Sequence, residues 1–377
     1  MKIALIATEK LPVPAIKGGA IQIYLDSIAP LIAQKHEVTI LSIQHPDLPE
    51  KETRNGVHYI RFAQSEYQSF LGEHLKNTKY DVVHLCNRPA WIPALHAQSP
   101  NTKWILSVHN EMFAVEKMTD EEGRACIAAV AQIVTVSDYI GRTITDRFPE
   151  AKGKVRTVYS GVDLQTYFPD WTQEGRRLKE RVRSELNLNN QKVILFVGRL
   201  SKVKGPHILL QAMPKILEKH PDTVMVFIGS KWFGDNEVNN YVSHLYKLGA
   251  MYPENVQFIQ FVQPKNIPTL YAMSDIFVCS SQWQEPLARV HYEAMACGLP
   301  IITSNRGGNP EVIDEGRNGK VIKNFEDPFA YAEAINSLLD SSGKRNEMGR
   351  YGRSKAEREF SWNTVAGNLL RVYENGR

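Results

Sequence analysis

The most informative stretch of this chain reads Gln282-Trp-Gln-Glu-Pro-Leu-Ala-Arg-Val-His-Tyr-Glu-Ala-Met-Ala-Cys-Gly-Leu-Pro-Ile-Ile-Thr303. The apolar run from Asp275 to Ser281 precedes it and predicts a buried strand. Within the stretch, Val290 and Ala294 fall at helical spacing, Gly298 is suited to end that helix, and a proline keeps it from continuing. The apolar residues after that proline predict a second buried strand. The stretch is therefore expected to form strand, loop, helix and strand.

Two carboxylates, Glu285 and Glu293, stand eight residues apart in this stretch. If both were helical they would be offset by about 80° around the axis, so we place Glu285 on the loop and Glu293 inside the helix, with Pro286 in the first helical turn. Ligands of open parallel sheets bind outside the carboxyl ends of the strands, which is where Glu285 falls. Alternatively, Glu285 interacts only with the helix dipole and Glu293 is solvated. A ligand is favoured because an unpaired carboxylate is costly in the apolar segment Val290 to Ala296.

The length and composition are typical of a globular protein of about two domains, since the chain has 377 residues. The net charge of +4 is small and no basic run with interleaved aromatics occurs, so we expect no nucleic-acid partner. The first apolar run is too short for a signal peptide and no later run has transmembrane length, which predicts a cytoplasmic protein or one in a structure assembled from the cytoplasm. Four scattered cysteines are expected to be reduced core residues: Cys86, Cys126, Cys279 and Cys297.

Short apolar runs alternate with amphipathic segments along the first half of the chain. This pattern predicts a parallel sheet covered by helices on both faces. A first helix is expected at Gly19–Ala33. The expected strands are Lys2–Ala7, Glu37–Ile43, Val57–Phe62, Asp81–Leu85, Trp104–Val108, Gln132–Val136 and Val155–Tyr159.

The same alternation begins again after a turn-rich connector, Leu164 to Gln173, and we place the domain boundary there. The expected strands of the second half are Lys192–Val197, Thr223–Ile228 and Val256–Phe261, and the expected helices are Pro206–Lys219, Glu237–Leu248 and Ile267–Met273. The tail from Asp327 to Glu374 is helical in pattern. We therefore predict an α/β protein with a first domain of residues 1–168 and a second of residues 169–360.

Gly18-Gly19 follows the first predicted strand and opens the first helix. Glycines there let the backbone approach an anion, and the amino end of a helix favours negative charge. Two glycines are also compatible with a simple flexible loop, so the signal is weak by itself. The pair is not the G-x-G-x-x-G of dinucleotide-binding enzymes, which argues against a dehydrogenase.

Arg199 and Lys204 follow the first strand of the second half. Two cations five residues apart at the carboxyl end of a strand can converge on one diphosphate, Arg199 through its planar fork and Lys204 as a point charge. An ordinary basic loop is the alternative. The combination with Glu285 and Glu293 favours a binding site.

His109 ends another predicted strand, in Ser-Val-His-Asn110. A lone histidine at a strand end is most often a hydrogen-bonded structural residue. No Asp-x-Asp motif occurs in the chain, and its histidines and cysteines are not at metal-ligand spacing, so we predict neither a bound metal nor a cofactor.

Together these motifs resemble the retaining glycosyltransferases of family 4. Glu285 and Glu293 match the E-x7-E signature of that family, and Arg199 and Lys204 match its Gly-Arg-x4-Lys-Gly. The motifs occur in the family's order along nearly the whole chain. The resemblance implies the GT-B fold, in which two Rossmann-like domains face each other across a cleft, and a last helix at about 361–377 that packs back on the first domain.

The resemblance also implies a role for each motif in binding a nucleotide-sugar donor. It implies catalytic roles for Glu285, which would contact the hexose, and for His109, near the anomeric carbon. Glu293 would bind the ribose. The donor diphosphate would be held by Gly18, Gly19, Arg199 and Lys204. Further donor contacts would come from Pro286, Leu287, Ala288 and Arg289, and backbone contacts to the base from Phe261 and Val262.

Ala288 stands where the family commonly has glycine, and its methyl group lies where the backbone would approach the sugar. The identity of the donor sugar therefore stays open. Uridine is the family's commonest base, so the expected donor is a UDP-sugar, bound as a substrate and without a metal. The resemblance implies attack on the same face of the sugar as the departing diphosphate.

The N-terminal Lys-Ile-Ala-Leu-Ile-Ala-Thr-Glu-Lys-Leu-Pro-Val-Pro stretch and the variant Glu-Pro-Leu-Ala-Arg-Val-His-Tyr-Glu motif are similar to those of spore-coat members of the family. This similarity implies a carbohydrate or glycoconjugate acceptor, a role in surface or spore-coat polysaccharide formation, a spore-coat location and other spore-coat proteins as partners. Two alternatives stay open. One is a structural coat component that keeps the fold, and the intact polar motifs argue against it. The other is a GT-B sugar-nucleotide epimerase, which the E-x7-E context disfavours.

Overall fold

A computed structural model describes residues 1–188, 190–229, 238–260, 262–263 and 266–375. The chain divides into two compact units. Unit 1 consists of Met1–Gly161 together with Trp362–Arg377, and unit 2 is Val162–Ser361. Each unit contains its own β-sheet flanked by helices, which confirms the predicted α/β class.

The strands of unit 1 are β1 (Lys2–Ile6), β2 (Glu37–Ile43), β3 (Lys51–Arg54), β4 (Val57–Phe62), β5 (Val82–Cys86), β6 (Lys103–Val108), β7 (Gln132–Thr135) and β8 (Val155–Thr157). They form one sheet in the order β3-β4-β2-β1-β5-β6-β7-β8. Along β1, Ala4 and Ile6 pack into the core on one face, and Ile3 and Leu5 pack into the core on the other. Burial on both faces explains why this strand is a continuous apolar run.

The edge strand β3 makes the sheet of unit 1 mixed, so the predicted parallel sheet is corrected at this edge. β3 pairs antiparallel with β4, whereas the other neighbouring strands are parallel. Its Lys-Glu-Thr-Arg sequence is mostly exposed, so it carries no apolar signal. The turn that precedes β4 was the available signal, because Asn55-Gly56 has positive φ at both residues and suits a two-residue hairpin.

The strands of unit 2 are β9 (Lys192–Val197), β10 (Thr223–Ile228), β11 (Val256–Ile259), β12 (Ile276–Cys279), β13 (Ile301–Ser304) and β14 (Gly319–Ile322). Their order is β11-β10-β9-β12-β13-β14, and the neighbouring pairs are parallel. The short strand β14 was not predicted. It begins at Gly319, where an added Cβ would lie 2.3 Å from the main-chain oxygen of Ile301 on the neighbouring strand. A glycine in a run of four residues breaks the apolar pattern that marks a strand.

The helices cover both sheets and agree with most of the predicted segments. They are α1 (Ala20–Ala33), α2 (Tyr67–Asn77), α3 (Ile92–His96), α4 (Asp120–Ala129), α5 (Asp138–Arg147), α6 (Gln173–Glu185), α7 (Pro206–Lys219), α8 (Asn240–Gly249), α9 (Ile267–Tyr271), α10 (Val290–Ala296), α11 (Pro328–Leu339), α12 (Ser342–Glu359) and α13 (Trp362–Glu374). The predicted start of α8 at Glu237 lies outside the described residues.

The last helix, α13, packs against α1 in unit 1. The Tyr373 hydroxyl lies 2.5 Å from His84 Nδ1 on β5, and Lys103 Nζ donates to the main-chain oxygen of Tyr373 at 2.9 Å. Buried side chains of α13, including Val365 and Leu369, join the core on that face of the sheet. The C-terminal segment is thus an integral part of unit 1.

The structural division after Gly161 lies before the sequence-based boundary at residue 168. Arg353 on α12 explains the difference, because its guanidinium donates to the main-chain oxygens of Leu164 and Tyr167 at 3.1 and 2.9 Å. Trp171 packs against Gly298, where an added Cβ would lie 2.4 Å from the indole ring. The turn-rich connector is therefore bound to unit 2 and is not a free linker.

The four cysteines are buried and free, as predicted. Burial raises the pKa of three of the thiols to about 12: Cys86, Cys126 and Cys297. They are protonated core residues at neutral pH. In the part of the chain that the structure describes, no helix combines the length and apolar character needed to cross a membrane.

Candidate functional site

The carboxyl edge of the unit 2 sheet has a topological switch point between β9 and β12. The chain proceeds from β9 to β10 on one side, whereas β12 lies on the other side of β9. Loops that leave two such strands diverge and form a crevice, where ligands of open α/β sheets bind. Arg199 and Lys204 lie in the loop after β9, and Glu285 lies in the loop after β12. The residues predicted to bind the diphosphate and the hexose thus flank one switch point.

Gly205 allows these two loops to touch. Its φ is +70°, and an added Cβ would lie 2.1 Å from the main-chain oxygen of Ser280. The Ser280 hydroxyl donates to the main-chain oxygen of Gly205 at 3.0 Å, and the backbone N–H of Gln282 donates to the oxygen of Val203 at 2.7 Å. Only glycine fits this contact, which holds the preceding residue, Lys204, against the loop after β12.

Lys204 and Glu285 form a direct ion pair between Nζ and Oε1. The Ser281 hydroxyl donates to the same carboxylate oxygen at 2.7 Å, and only 3% of Glu285 is exposed. Lys204 Nζ also lies 5.6 Å from the centroid of the Trp283 ring. The predicted roles of Lys204 and Glu285 concern different parts of a donor, and Trp283 was not predicted. The structure brings all three side chains together.

The environment of Glu285 keeps its carboxylate ionised. Burial alone would raise the pKa of Glu285, but the charge and hydrogen bond of Lys204, together with Ser281 and Trp283, outweigh burial and hold this pKa below its ordinary value. An ionised carboxylate only accepts hydrogen bonds, so it suits the hydroxyl groups of a sugar. The site therefore places a hydrogen-bond acceptor for hydroxyl groups next to a cation.

A Gly-Gly turn after β13 closes over the backbone of Glu285. Gly308 donates its N–H to the main-chain oxygen of Glu285 at 2.8 Å. Gly307 has a φ of +55°, and an added Cβ there would lie 1.9 Å from that same oxygen. The Gly307 N–H donates to Gln284 Oε1 at 2.6 Å. A third loop thus fixes the backbone that carries the carboxylate.

The predicted positions of the two glutamates are confirmed, because Glu285 lies on the loop and Glu293 lies in α10. The expectation that Pro286 opens the helix was wrong, since α10 begins four residues later. The intervening backbone is drawn toward the Gly-Gly turn, where the Ala288 N–H donates to Asn309 Oδ1 at 3.0 Å. Gly298 has a φ of +71° and ends the helix as predicted.

Glu293 has a partner within unit 2. The Tyr271 hydroxyl donates to Glu293 Oε2 at 2.9 Å, and the Tyr271 ring makes an edge contact with Tyr167 at 5.6 Å between centroids. Burial and the nearby carboxylate raise the pKa of Tyr271 well above its ordinary value, so the phenol stays a donor. Within the described residues, Glu293 Oε1 accepts no hydrogen bond. This half-buried carboxylate thus has one oxygen anchored and one available.

His291 positions the backbone of the predicted donor contacts and was missed by sequence analysis. Its Nδ1 donates to the main-chain oxygen of Ala288 at 2.9 Å, and its Nε2 accepts from the Thr303 hydroxyl at 2.8 Å. Burial lowers the pKa of His291 to about 4, so the ring is neutral. Leu287 is buried and Arg289 is half-buried immediately before α10. Ala288 is thus held through both its N–H and its main-chain oxygen.

In unit 1, the switch point lies between β1 and β5, and Gly18 and Gly19 follow β1. Their φ values are +75° and +95°, and an added Cβ on Gly19 would lie 2.4 Å from Gln22 Oε1. Gly19 directly precedes α1, a helix whose first turn contains no acidic side chain and whose first N–H groups receive no side-chain cap. These uncapped N–H groups provide the positive end of a helix dipole.

His109 follows β6 and presents a polar atom without a partner. Its backbone N–H donates to Asn87 Oδ1 at 3.0 Å, and its ring makes an edge contact with Tyr24 at 5.2 Å. The ring atom Nε2 is buried and has no hydrogen-bond partner among the described residues. Burial lowers the pKa of His109 to about 4. A neutral ring with one unsatisfied nitrogen differs from the fully hydrogen-bonded structural histidine that was the alternative.

A buried chain of hydrogen bonds supports the strand that carries His109. His84 on β5 lies 2.5 Å from the Ser107 hydroxyl through Nε2 and 2.5 Å from the Tyr373 hydroxyl through Nδ1. Burial lowers the pKa of His84 to about 3, so this ring is also neutral. Ser107 lies on β6, two residues before His109. This link was not predicted, because its only sign in the sequence is a polar residue in an apolar strand.

The remaining predicted positions carry less information. Phe261 lies outside the described residues, and Val262 is half-buried after β11. Among the described residues, no group of three or more His, Cys, Asp or Glu side chains is arranged to hold a metal ion. The base contacts and the metal requirement therefore stay predictions.

Comparison with known proteins identifies the class. Residues 179–355 match the family model of glycosyl transferases group 1, and residues 18–166 match that of glycosyltransferase family 4. The chain is 44% identical over 375 residues to the putative glycosyltransferase YtcC of Bacillus subtilis, covering 100% of this chain and 92% of that protein. The chain belongs to this family of glycosyltransferases. It is also 66% identical over 377 residues to spore coat protein SA of Bacillus subtilis, with 100% of both chains covered.

Solved structures agree on the fold. A structure of Anabaena Alr3699/HepE in complex with UDP has a TM-score of 0.79 at 20% identity, with 99% of each chain covered. WaaG, a glycosyltransferase of lipopolysaccharide biosynthesis, has a TM-score of 0.71 at 17% identity, covering 99% of this chain and 100% of that one. These likenesses confirm the predicted GT-B fold, composed of two Rossmann-like units.

Proposed function

We propose that this protein is a retaining glycosyltransferase that moves a sugar from a UDP-sugar to an acceptor hydroxyl. The observation that carries the proposal is the ion pair of Lys204 and Glu285 at the switch point of unit 2. A buried charged pair brings little net stability to a fold, but it places a cation and a hydrogen-bond acceptor where one ligand can use both.

In this proposal the donor is held mainly by unit 2. Arg199 and Lys204 bind the diphosphate, and Lys204 remains close enough to Glu285 to be shared between the carboxylate and the phosphate. Glu285 accepts hydrogen bonds from sugar hydroxyls, and the available oxygen of Glu293 accepts from the ribose. Gly19 and the uncapped first turn of α1 supply backbone N–H groups to the diphosphate, and Gly18, whose own N–H donates to the main-chain oxygen of Ala15, shapes the turn before them.

The chemical step breaks the bond between the anomeric carbon and the diphosphate oxygen and forms a bond from that carbon to the acceptor oxygen. The acceptor approaches on the face that the diphosphate leaves, so the configuration is retained. The acceptor's proton passes to the departing phosphate oxygen. Arg199 and Lys204 stabilise the negative charge that develops there. The neutral ring of His109 positions the donor through Nε2 and does not act as a nucleophile.

The nucleotide of the proposed donor is uridine diphosphate, bound without a metal. Support comes from the likeness to HepE, whose structure contains UDP. The titration below compares UDP with ADP, which the structure of starch synthase IV of Arabidopsis thaliana contains. The two cations after β9 perform the charge neutralisation that a metal provides in other transferases.

The product in this proposal is a polysaccharide or glycoconjugate of the spore coat, and other coat proteins are partners. Support comes from the similarity to spore coat protein SA over the whole chain. The same similarity keeps open a second function, in which the protein is a structural component of the coat. The two functions differ in a measurable way, because only the first needs nucleotide binding.

The test is calorimetric titration of the purified protein with UDP, GDP and ADP in the presence of EDTA. The wild type, Arg199→Ala and Glu293→Ala are compared. Lys202→Ala serves as the matched control, since it removes an exposed cation from the same turn. We expect UDP to bind without metal, Arg199→Ala and Glu293→Ala each to weaken binding by about tenfold or more, and Lys202→Ala to bind like the wild type.

Three results would count against the proposal. If the folded wild type binds none of the nucleotides, the structural function replaces the enzymatic one. If binding appears only when Mg²⁺ or Mn²⁺ replaces EDTA, the metal-independent part is wrong. If GDP or ADP binds and UDP does not, the choice of base is wrong while the transferase proposal stands.

A further inference from the structure

Unit 1 contains a groove between α2 and α3, and the residues that line it have no role in the site described above. Its volume is about 1070 Å³, just above the usual range for ligand sites. Polar side chains and one tryptophan dominate its lining, including Gln64, Gln68, Glu73, Lys76, Trp91 and Gln98. Its size suits an elongated ligand.

One end of the groove lies at the carboxyl edge of the unit 1 sheet. Glu9 follows β1 and Gln64 follows β4, and Gln64 Nε2 donates to the main-chain oxygen of Glu9 at 2.7 Å. The loop of Gly18 and Gly19, which also follows β1, leaves the same edge. From there the groove follows α2 to Asn77, the last residue of that helix. Eleven residues of helix span about 16 Å, which is long enough for several sugar rings in a row.

Trp91 provides an aromatic surface in this groove. The residue is half-buried, its ring makes an edge contact with Tyr67 at 6.1 Å, and the Arg88 guanidinium lies 5.6 Å from its centroid. The indole N–H donates to no described residue. A half-buried indole ring offers an apolar surface, which suits the face of a sugar ring. Its unused N–H is a hydrogen-bond donor, which suits the hydroxyl groups at the edge of the sugar.

The amide side chains of the groove are also available. Gln68 and Gln98 line it, and neither side chain makes a hydrogen bond to a described residue. An amide both donates and accepts, as a sugar hydroxyl does, so the two groups complement each other. A hydrophobic peptide would leave these amides without partners.

The charges of the groove disfavour an anionic ligand. Three carboxylates line it, on Glu9, Glu66 and Glu73, against the single ammonium of Lys76. Glu9 and the nearby guanidinium of Arg88 neutralise each other through two hydrogen bonds at 2.6 and 2.7 Å, which leaves Glu66 and Glu73 against Lys76. A phosphorylated or uronic-acid chain would meet more carboxylates than cations.

We propose that this groove binds the acceptor as an extended oligosaccharide without anionic groups. The role of acceptor site rests on the proposed glycosyltransferase function, whereas the binding of glycan by the groove does not. The growing end of the chain lies at the carboxyl edge of the sheet, and the preceding sugar rings follow α2 across Trp91.

Gly72 on α2 offers a position from which a larger side chain can fill the groove. An added Cβ would make only ordinary contacts with the side chains of Gln98 and Leu95 on the opposite wall, at 3.7 and 3.8 Å. Gly72→Leu therefore places an isobutyl group across the groove. The matched control is Gly367→Leu on α13, because an added Cβ there meets no atom within 4 Å. Trp91→Ala is a second variant that removes the aromatic surface instead of blocking access.

The experiment titrates the full-length protein with maltotetraose, cellotetraose, chitotetraose and, as the anionic probe, tetragalacturonate. UDP is titrated into each sample to report an intact unit 2. We expect at least one of the three uncharged tetrasaccharides to bind, and tetragalacturonate to bind about tenfold more weakly or worse. Gly72→Leu and Trp91→Ala should each weaken glycan binding by about tenfold, whereas Gly367→Leu should not. The affinity for UDP should be unchanged in all variants.

The inference is overturned if no uncharged tetrasaccharide binds to protein that binds UDP, if tetragalacturonate binds as tightly, or if Gly72→Leu leaves glycan affinity unchanged. The first of these results would leave the proposed transferase function intact. If the protein binds glycan but no nucleotide, the groove is a glycan-binding site, and its proposed role as an acceptor site is wrong.

Discussion

The switch points of the two units differ in how their polar groups are satisfied. In unit 2, Lys204 and Glu285 neutralise each other, and Ser281 adds a hydrogen bond. In unit 1, His109 keeps a buried ring nitrogen without a partner among the described residues, and the glycines before α1 leave helix N–H groups uncapped. The buried charges of the unit 2 site are paired with each other, whereas the unused hydrogen-bonding groups of the unit 1 site are neutral.

The difference shows that the charge of a buried polar group decides whether it can remain without a partner. A carboxylate that is 3% exposed has to be paired, because an isolated buried charge is far more costly than an unpaired neutral group. A neutral imidazole nitrogen or a backbone N–H at a helix end can stay unsatisfied at a smaller cost. We therefore expect changes in unit 2 to affect stability most and changes in unit 1 to affect it less.

The largest effect is expected from Lys204→Met, which leaves the Glu285 carboxylate buried without its cation. Removing one partner of a buried pair lowers the free energy of unfolding by about 3–5 kcal/mol. Urea denaturation at neutral pH measures this change. Adding Glu285→Gln to Lys204→Met should restore more than half of the loss, because the remaining amide is neutral. Equal stability of the wild type and Lys204→Met would show that Glu285 does not depend on this ion pair.

A smaller effect is expected for the pH dependence contributed by His109. Its folded pKa of about 4 lies below its ordinary value of 6.5, so the unfolded chain takes up a proton between these values that the folded protein does not. The contribution of His109 to the free energy of unfolding is therefore fully present above pH 6.5 and is lost as the pH falls toward 4. When the pH is lowered from 7 to 5, the free energy of unfolding should therefore fall by about 2 kcal/mol more in the wild type than in His109→Gln.

Denaturation with urea at both pH values measures that difference. His58→Gln, which replaces an exposed histidine on β4 in the same way, is the matched control. An identical loss in His109→Gln and wild type would mean that His109 is charged, or already solvated, in the folded protein.

The smallest effect on stability is expected from Gly19→Ala, about 1–2 kcal/mol, because alanine disfavours a φ of +95° and its Cβ would crowd Gln22. Gly56→Ala is the control, with a φ of +76° and only one ordinary contact at 3.7 Å. Both variants should be destabilised, but only Gly19→Ala should weaken UDP binding in calorimetry. Equal loss of UDP affinity in both would indicate a general effect of stability and no role for the Gly18-Gly19 loop.

Much of the fold could be predicted because buried parallel strands are continuous apolar runs. The bounds of β2, β4, β9, β10 and α7 agree with the predicted ones residue for residue. β3 could not be found in this way, since an exposed edge strand has no apolar pattern. The start of α10 was misplaced because the bond from Ala288 to Asn309, which delays it, joins residues of different loops.

The site was predicted as separate motifs, and the sequence could not show how they connect. Trp283, His291 and His84 were missed because each acts through a neighbour that is distant in the chain or hidden in an apolar run. The pairing of Lys204 with Glu285 depends on Gly205 touching Ser280, a contact between residues far apart in sequence.

The sequence by itself determined the fold class, the family and the identity of the polar residues at the strand ends, because periodicity and local motifs depend on neighbouring residues. Only the tertiary structure decided which charges neutralise each other, which nitrogen stays unsatisfied and where a groove opens beside α2. These properties arise from the approach of segments that are far apart in the chain. Their electrostatic and packing energies depend on distances that no local pattern records.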